Sequence, residues 1–145
     1  MECAGLSDSV KVYAIEKNPE AVELLYENRK KFALTNVKII AGTAPEALED
    51  LPSPTHVFIG GSSGKMEEVI ALCLKKNPET RFVVNLITPE SLAAVLEAVK
   101  TLPVTEPDLL TLTAARSKKV GSSHLMMGQN PVWIVTFEGN NQGKK

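Results

Sequence analysis

Lys11 to Ala41 reads KVYAIEKNPEAVELLYENRKKFALTNVKIIA, and the order of residue types in it decides the fold class. Val12, Ala14 and Glu16 alternate with Tyr13 and Ile15, and both sets are mostly apolar, as in a short strand buried on two faces. Asn18-Pro19-Glu20 then gives three helix-start signals: an N-cap amide, a proline for the first helical position, and an acid that complements the helix dipole. The helix is expected to run to about Ala33, with Ala21, Leu24, Leu25 and Phe32 on or near one face. Val37 to Ala41 is a second apolar strand, so the stretch is a strand–helix–strand unit.

The same alternation continues outward. Gly42-Thr43 is a loop, followed by a short helix near Ala44–Asp50 and breaks at Pro52 and Pro54. Val57 to Ile59 is a third strand and enters Gly60-Gly61-Ser62-Ser63-Gly64, with Ser62 or Ser63 a candidate cap for the helix that ends at Lys76. That helix carries Met66, Val69, Ile70, Cys73 and Leu74 at helical spacing. Arg81 to Ile87 is a fourth strand. Thr88-Pro89-Glu90 repeats the start signal, and Leu92, Val95, Leu96 and Val99 follow it at helical spacing. Leu109 to Ala115 and Val132 to Phe137 read as an antiparallel edge pair, with Arg116 to Met127 a loop between them. Before all of these, Met1 to Leu6 resembles the tail of an apolar helix, and at the other end residues 140–145 form a polar tail expected to fray. Strands alternating with helices and closed by two antiparallel strands make an α/β, mostly parallel, doubly wound sheet. Ligands in such sheets lie beyond the carboxyl ends of the strands, which singles out Glu16, 42–44, 60–64 and 85–88.

Composition narrows the classes of function. The chain has 16 basic and 17 acidic residues and a net charge of −1, against general nucleic-acid binding. It has no apolar run of membrane-spanning length and no basic-then-apolar leader pattern. Its two cysteines, Cys3 and Cys73, sit far apart in apolar helical contexts, read as small core residues in a reducing cytoplasm. No metal-ligand spacing and no nucleophile motif is present, and no catalytic residue is assigned.

Several residues admit two readings. Glu16 ends a strand, where a carboxylate holds the two hydroxyls of a ribose, or else it only complements the following helix. The adjoining Lys17 is open to other charges. A ribose acid comes with a glycine turn about 20 residues earlier, and that count passes Met1. Gly60 to Gly64 either lets a ligand approach backbone N–H groups or is a tight turn. Arg116, Lys118 and Lys119 either clamp carboxylates or form a solvated face. His124 has no carboxylate or serine partner in the sequence.

Val12 to Leu48 closely resembles the decarboxylating precorrin methyltransferases of cobalamin biosynthesis, also found as the C-terminal half of a bifunctional C-5,15-methyltransferase. VFIGGSSG (57–64), RFVVNLITPESL (81–92) and the stretch from Arg116 ending in NPVWIVT match in order. The resemblance implies a Rossmann-like class I fold and S-adenosylmethionine (SAM) as methyl donor. It implies methylation at C-15 of a precorrin-6B-type ring, with loss of the C-12 acetate carboxyl. It places Glu16 at the ribose, with Lys17 beside it, and Gly42, Thr43 and Ala44 beside the adenine. Gly60, Gly61 and Ser62 face cofactor and substrate, and Arg116, Lys118 and Lys119 suit an acidic tetrapyrrole. It further implies a homotetramer and a C-5 methyltransferase as partner or fused domain. The family's first strand and glycine loop would precede Met1, so residues 1–139 are expected to form the domain without them. Thr55-His56 stands where the family often has an acid. The alternatives are another class I methyltransferase, a nicotinamide-binding domain, or an inactive fragment with a structural role.

Overall fold

The computed structural model describes residues 1–61 and 64–141, and the chain divides into two compact units, Met1–Leu51 and Pro52–Lys145. The first unit contains α1 (Glu2–Gly5), β1 (Val12–Glu16), α2 (Pro19–Lys31), β2 (Val37–Ala41) and a 3-10 turn at Glu46–Leu48. β1 and β2 are parallel, with Val12 opposite Val37 and Glu16 opposite Ala41. Ala4, Val37 and Ile39 are buried, and Val12, Ala14, Val22, Leu25 and Leu34 pack around them. The Asn36 side chain fastens α1 to this layer, its Nδ2 donating to the carbonyls of Ala4 and Val10 at 2.8 Å each.

Three expectations shift in this unit. α2 starts at the Asn18 cap, whose Oδ1 accepts from the Glu20 N–H at 3.0 Å, but Leu24 and Phe32 are exposed. The inward stripe is Ala21, Val22, Leu25, Asn28 and Arg29, so Ala21 and Leu25 face inward as expected while Leu24 and Phe32 do not. β1 is half-buried along its whole length rather than fully buried on both faces. Cys3 is exposed, so only Cys73 is a core cysteine.

The second unit contains β3 (His56–Ile59), α3 (Met66–Lys76), β4 (Arg81–Leu86), α4 (Pro89–Thr101), β5 (Asp108–Leu112), β6 (Ala115–Val120), β7 (Ser123–Gly128) and β8 (Val132–Glu138). Its main sheet has the order β3-β4-β8-β5. β3 and β4 are parallel, and β8 runs antiparallel to both β4 and β5. Alternation along the strands separates the two faces. Phe82, Val84, Leu86, Val135 and Phe137 are buried, together with Ile70, Cys73 and Leu74 of α3 and Val95, Ala98 and Val99 of α4. The Phe82 and Phe137 rings stack with centroids 5.0 Å apart. Phe58, Val83, Asn85, Ile134 and Leu110 occupy the other face and are half-buried or exposed.

The expected loop from Arg116 to Met127 is instead the β6–β7 hairpin. Gly121, with φ of 61°, makes its tight turn with Ser122. Gly-Ser between two short strands is a hairpin signal, here hidden by the basic and methionine-rich flanks. The helix near Ala44–Asp50 shrinks to the 3-10 turn Glu46–Leu48. α3 opens at Lys65, and the expected serine cap, Ser62 or Ser63, lies outside the described residues. Of the tail, Asn140 donates its N–H to the Pro103 carbonyl at 2.8 Å. The rest of the tail, 142–145, and the pair Ser62 and Ser63 lie outside the described residues.

Candidate functional site

The first unit brings Glu16 and 42–44 together. Parallel register ends β1 and β2 side by side, and the Gly42 N–H donates to the Glu16 carbonyl at 2.9 Å. The Glu16 side chain turns back over the start of the next segment. Its Oε1 accepts from the Lys17 and Asn18 N–H groups, both at 2.9 Å. That holds the carboxylate in one orientation, while Oε2 has no partner among the described residues. A Cβ on Gly42 would come within 3.1 Å of the Ala47 Cβ, so the 3-10 turn packs directly on bare backbone. Thr43 is exposed and Ala44 half-buried, and the Thr43 carbonyl accepts from Ala47 N–H at 2.9 Å. Lys17 contributes its N–H to Glu16, and it is exposed.

In the second unit, Gly60 and Gly61 follow β3 and are exposed. A Cβ on Gly60 would lie 3.2 Å from the Phe58 ring, so that ring covers the glycine. Ser62 lies outside the described residues. Arg116, Lys118 and Lys119 alternate along β6 rather than clustering. Arg116 and Lys118 share one hairpin face with their cross-strand partners Met127 and Leu125, while Lys119 and His124 share the other. Among the described residues no group of three His, Cys, Asp or Glu side chains is placed to hold a metal ion, and no helix is long and apolar enough to cross a membrane.

At the end of β4, Thr88 caps α4, its Oγ1 accepting from the Ser91 N–H at 3.2 Å. Asn85, singled out in the sequence only as part of 85–88, is different. Its Oδ1 is buried and has no hydrogen-bond partner among the described residues. An orphaned acceptor is a tertiary property, and no pattern of residue types signals it.

The family model described as a precorrin methyltransferase domain matches residues 1–138, across both units. The chain belongs to the precorrin methyltransferase family. Its relatives include a protein of Sulfurisphaera tokodaii named "Probable cobalt-precorrin-6B C(15)-methyltransferase (decarboxylating)". That protein is 36% identical over 139 residues, covering 93% of this chain and 71% of the relative. The cobalt-precorrin-6B C(15)-methyltransferase (decarboxylating) of Salmonella typhimurium is 32% identical, covering 95% of this chain and 71% of the relative. Among solved structures, the precorrin-6y C5,15-methyltransferase of Geobacter metallireducens superposes with a TM-score of 0.84 at 31% identity, covering 94% of this chain and 72% of that one. For this precorrin methyltransferase, the α/β fold read from the strand–helix alternation holds.

Proposed function

We propose that this chain methylates C-15 of a precorrin-6B-type tetrapyrrole and removes the C-12 acetate carboxyl in cobalamin biosynthesis, with SAM as donor. The observation that carries this is the family match over 1–138, with Glu16 and 42–44 meeting at the carboxyl ends of two parallel strands. SAM, when bound, supplies the methyl group. The free Oε2 of Glu16 fits the diol of its ribose, because Oε1 is already fixed by two main-chain donors. Gly42, Thr43 and Ala44 offer backbone beside the adenine, with Lys17 flanking it. Gly60 and Gly61, both exposed, leave room for the ring and the donor methyl, and Ser62 is the substrate contact by resemblance.

The chemistry makes few demands on acids and bases. Methylation releases the C-15 proton, and the C-12 methylene takes up one proton when it loses carbon dioxide. The two cancel, so the residues must chiefly hold the reacting atoms in line. Arg116 and Lys118, on one hairpin face, suit the carboxylates of the ring, with Lys119 adding to the field from the other face. The assembly in this reading is a homo-oligomer, a tetramer by resemblance. Its support is the hairpin, whose strands are exposed throughout and carry Val120, Leu125, Met126 and Met127. A two-stranded hairpin is marginal until something packs on it. The setting is cytoplasmic, in keeping with two unpaired cysteines, and a C-5 methyltransferase is the natural partner for the neighbouring step.

Calorimetric titration of SAM into the wild-type chain, E16A and E16Q tests the cofactor half. Wild type binds. E16A weakens binding about 10- to 100-fold, the worth of charge-assisted hydrogen bonds to a ribose. E16Q falls between them, since its carboxamide oxygen still accepts. Equal affinity in all three sinks the assignment of Glu16.

A further inference from the structure

The β6–β7 hairpin is the outer half of a longer ribbon. β5 and β8 pair as far as Leu112 opposite Val132. The Gln129 N–H then donates to the Ala114 carbonyl at 2.8 Å, and Ala115 opposite Gly128 resumes the ladder. Trp133 stands opposite Leu86, the last residue of β4, so the ribbon leaves the main sheet at its carboxyl end. It leaves from the side of β8 and β5, whereas Gly60 and Gly61 follow β3 at the other edge.

Register measures the gap between them. Ile59 shares a row with Val84, Val135 and Leu109, which sets Gly60 level with Leu110. Arg116 is six residues further out along the ribbon and Lys118 eight. Three strand spacings across, with those residues along, amount to about 25 Å for Arg116 and about 30 Å for Lys118. The two cations therefore stand well away from the loop of their own chain that faces the ring. They share their hairpin face with Val120, Leu125 and Met127, each about half exposed. Apolar surface gathered on one face marks a contact with a partner, and whatever covers it also meets the two cations. The occupant that fits is a second copy of this chain. Residues 109–137 hold three cations and no acid, so the rest of a chain of net charge −1 carries −4. Charges at the rim of such a contact steer the encounter, while the apolar centre holds it.

We propose that Arg116 and Lys118 act across the subunit boundary, binding the carboxylates of the tetrapyrrole seated beside Gly60 and Gly61 of a second copy. This rests on the functional reading above and deepens it. Each chain holds its own cofactor and borrows the cations of its ring site, so the homo-oligomer is part of the site.

The test is subunit complementation with the full chain. E16A, defective toward SAM, and R116E with K118E, defective toward the ring, are co-expressed under different tags. Assemblies holding both are captured through the two tags in turn. Methyl transfer is assayed with SAM and a precorrin-6B-type ring, both below their wild-type KM values. Each variant alone is expected to turn over at about a tenth of the wild-type rate or less. In a mixed assembly, a chain with reversed cations still has Glu16 and receives Arg116 and Lys118 from an E16A neighbour. The mixed rate is expected to recover to between about a quarter and a half of wild type, the share of whole sites set by random pairing. R116Q with K118Q, which removes the charges without reversing them, repeats the experiment where the reversal disturbs assembly. A mixed rate no higher than the mean of the two variants alone means that each chain supplies its own cations, and it overturns this inference alone. So does an active wild type that sediments as a monomer, or R116E with K118E as active as wild type. A wild-type chain that does not methylate the ring, or E16A as active as wild type, overturns the functional reading and this inference with it.

Discussion

Cys73 faces the core from α3 with about 1% of its surface exposed, and burial pushes its thiol from 9.0 up to about 11, with nearby Lys76 pulling slightly the other way. Below pH 9 the thiol keeps its proton in both folded and unfolded chains. Between pH 9 and 11 the unfolded chain releases it and the folded chain does not, so stability falls with rising pH across that window. The loss is up to about 2–3 kcal/mol once pH passes the folded value. Denaturant melts of wild type and C73A at pH 8, 10 and 11 check this. C73A starts lower because it leaves a cavity, but it declines less steeply; parallel slopes refute the account. Cys3, being exposed, reacts with thiol reagents in the native chain while Cys73 does not. The two cysteines also mark how far residue type carries an inference. Both stand in apolar helical sequence, but α1 is only the short turn Glu2–Gly5, and Ala4 alone of it is buried. Glu16 was legible because a strand end and a helix start fix its place locally. Asn85 was not, because its orphaned oxygen depends on strands that are far apart in sequence.

The starts of α2 and α4 were written plainly in the chain, and the end of α2 was not. Asn18-Pro19 and Thr88-Pro89 set the first residues of α2 and α4, and both cap side chains accept the expected main-chain N–H. α2 ends in a Schellman arrangement: Leu34 N–H donates to the Arg29 carbonyl at 3.0 Å and Ala33 N–H to the Lys30 carbonyl at 3.1 Å. The left-handed position of that motif belongs to glycine by preference, but here it is Ala33, with φ of 51°. No glycine announces the end, so sequence alone placed it loosely. The same geometry gives a prediction for the element. A33G relieves the Cβ clash at positive φ and offsets part of that gain through a more flexible unfolded chain. The net effect is a stabilisation of about 0.5–1 kcal/mol, read as a higher denaturation midpoint. A lower midpoint would show that Ala33 is held by packing and not strained by its backbone. The hairpin hid for the opposite reason. ARSKKV and SHLMMG lack the apolar alternation that marks a strand with one face on a core, so the stretch read as a loop. Strands exposed on both sides have no such pattern to show.

At the scale of the whole molecule, the proposed assembly and the proposed docking of the ring draw on one face of that hairpin. Val120, Leu125 and Met127 supply apolar surface there, and Arg116 and Lys118 stand directly across from Met127 and Leu125. The two demands are compatible because a basic side chain can lay its methylene stem along an apolar neighbour and keep its charge at the rim. A partner copy then buries the apolar centre while the cations remain available to carboxylates. Separate substitutions pull the demands apart. L125E places a charge in the centre of the apolar strip, and removing a burial of this kind at each of several symmetric interfaces multiplies its effect. Sedimentation velocity is expected to show the wild-type chain as an oligomer and L125E as a smaller species at the same concentration. R116E together with K118E leaves the sedimentation unchanged, raises the KM for the acidic ring about tenfold or more, and flattens its dependence on salt, since the steering charges have been reversed. K119E, on the other face, has the smaller effect of the two. If L125E sediments like wild type, the hairpin is not the contact. If K119E matters as much as R116E with K118E, the ring reads the overall field of the hairpin and not one of its faces.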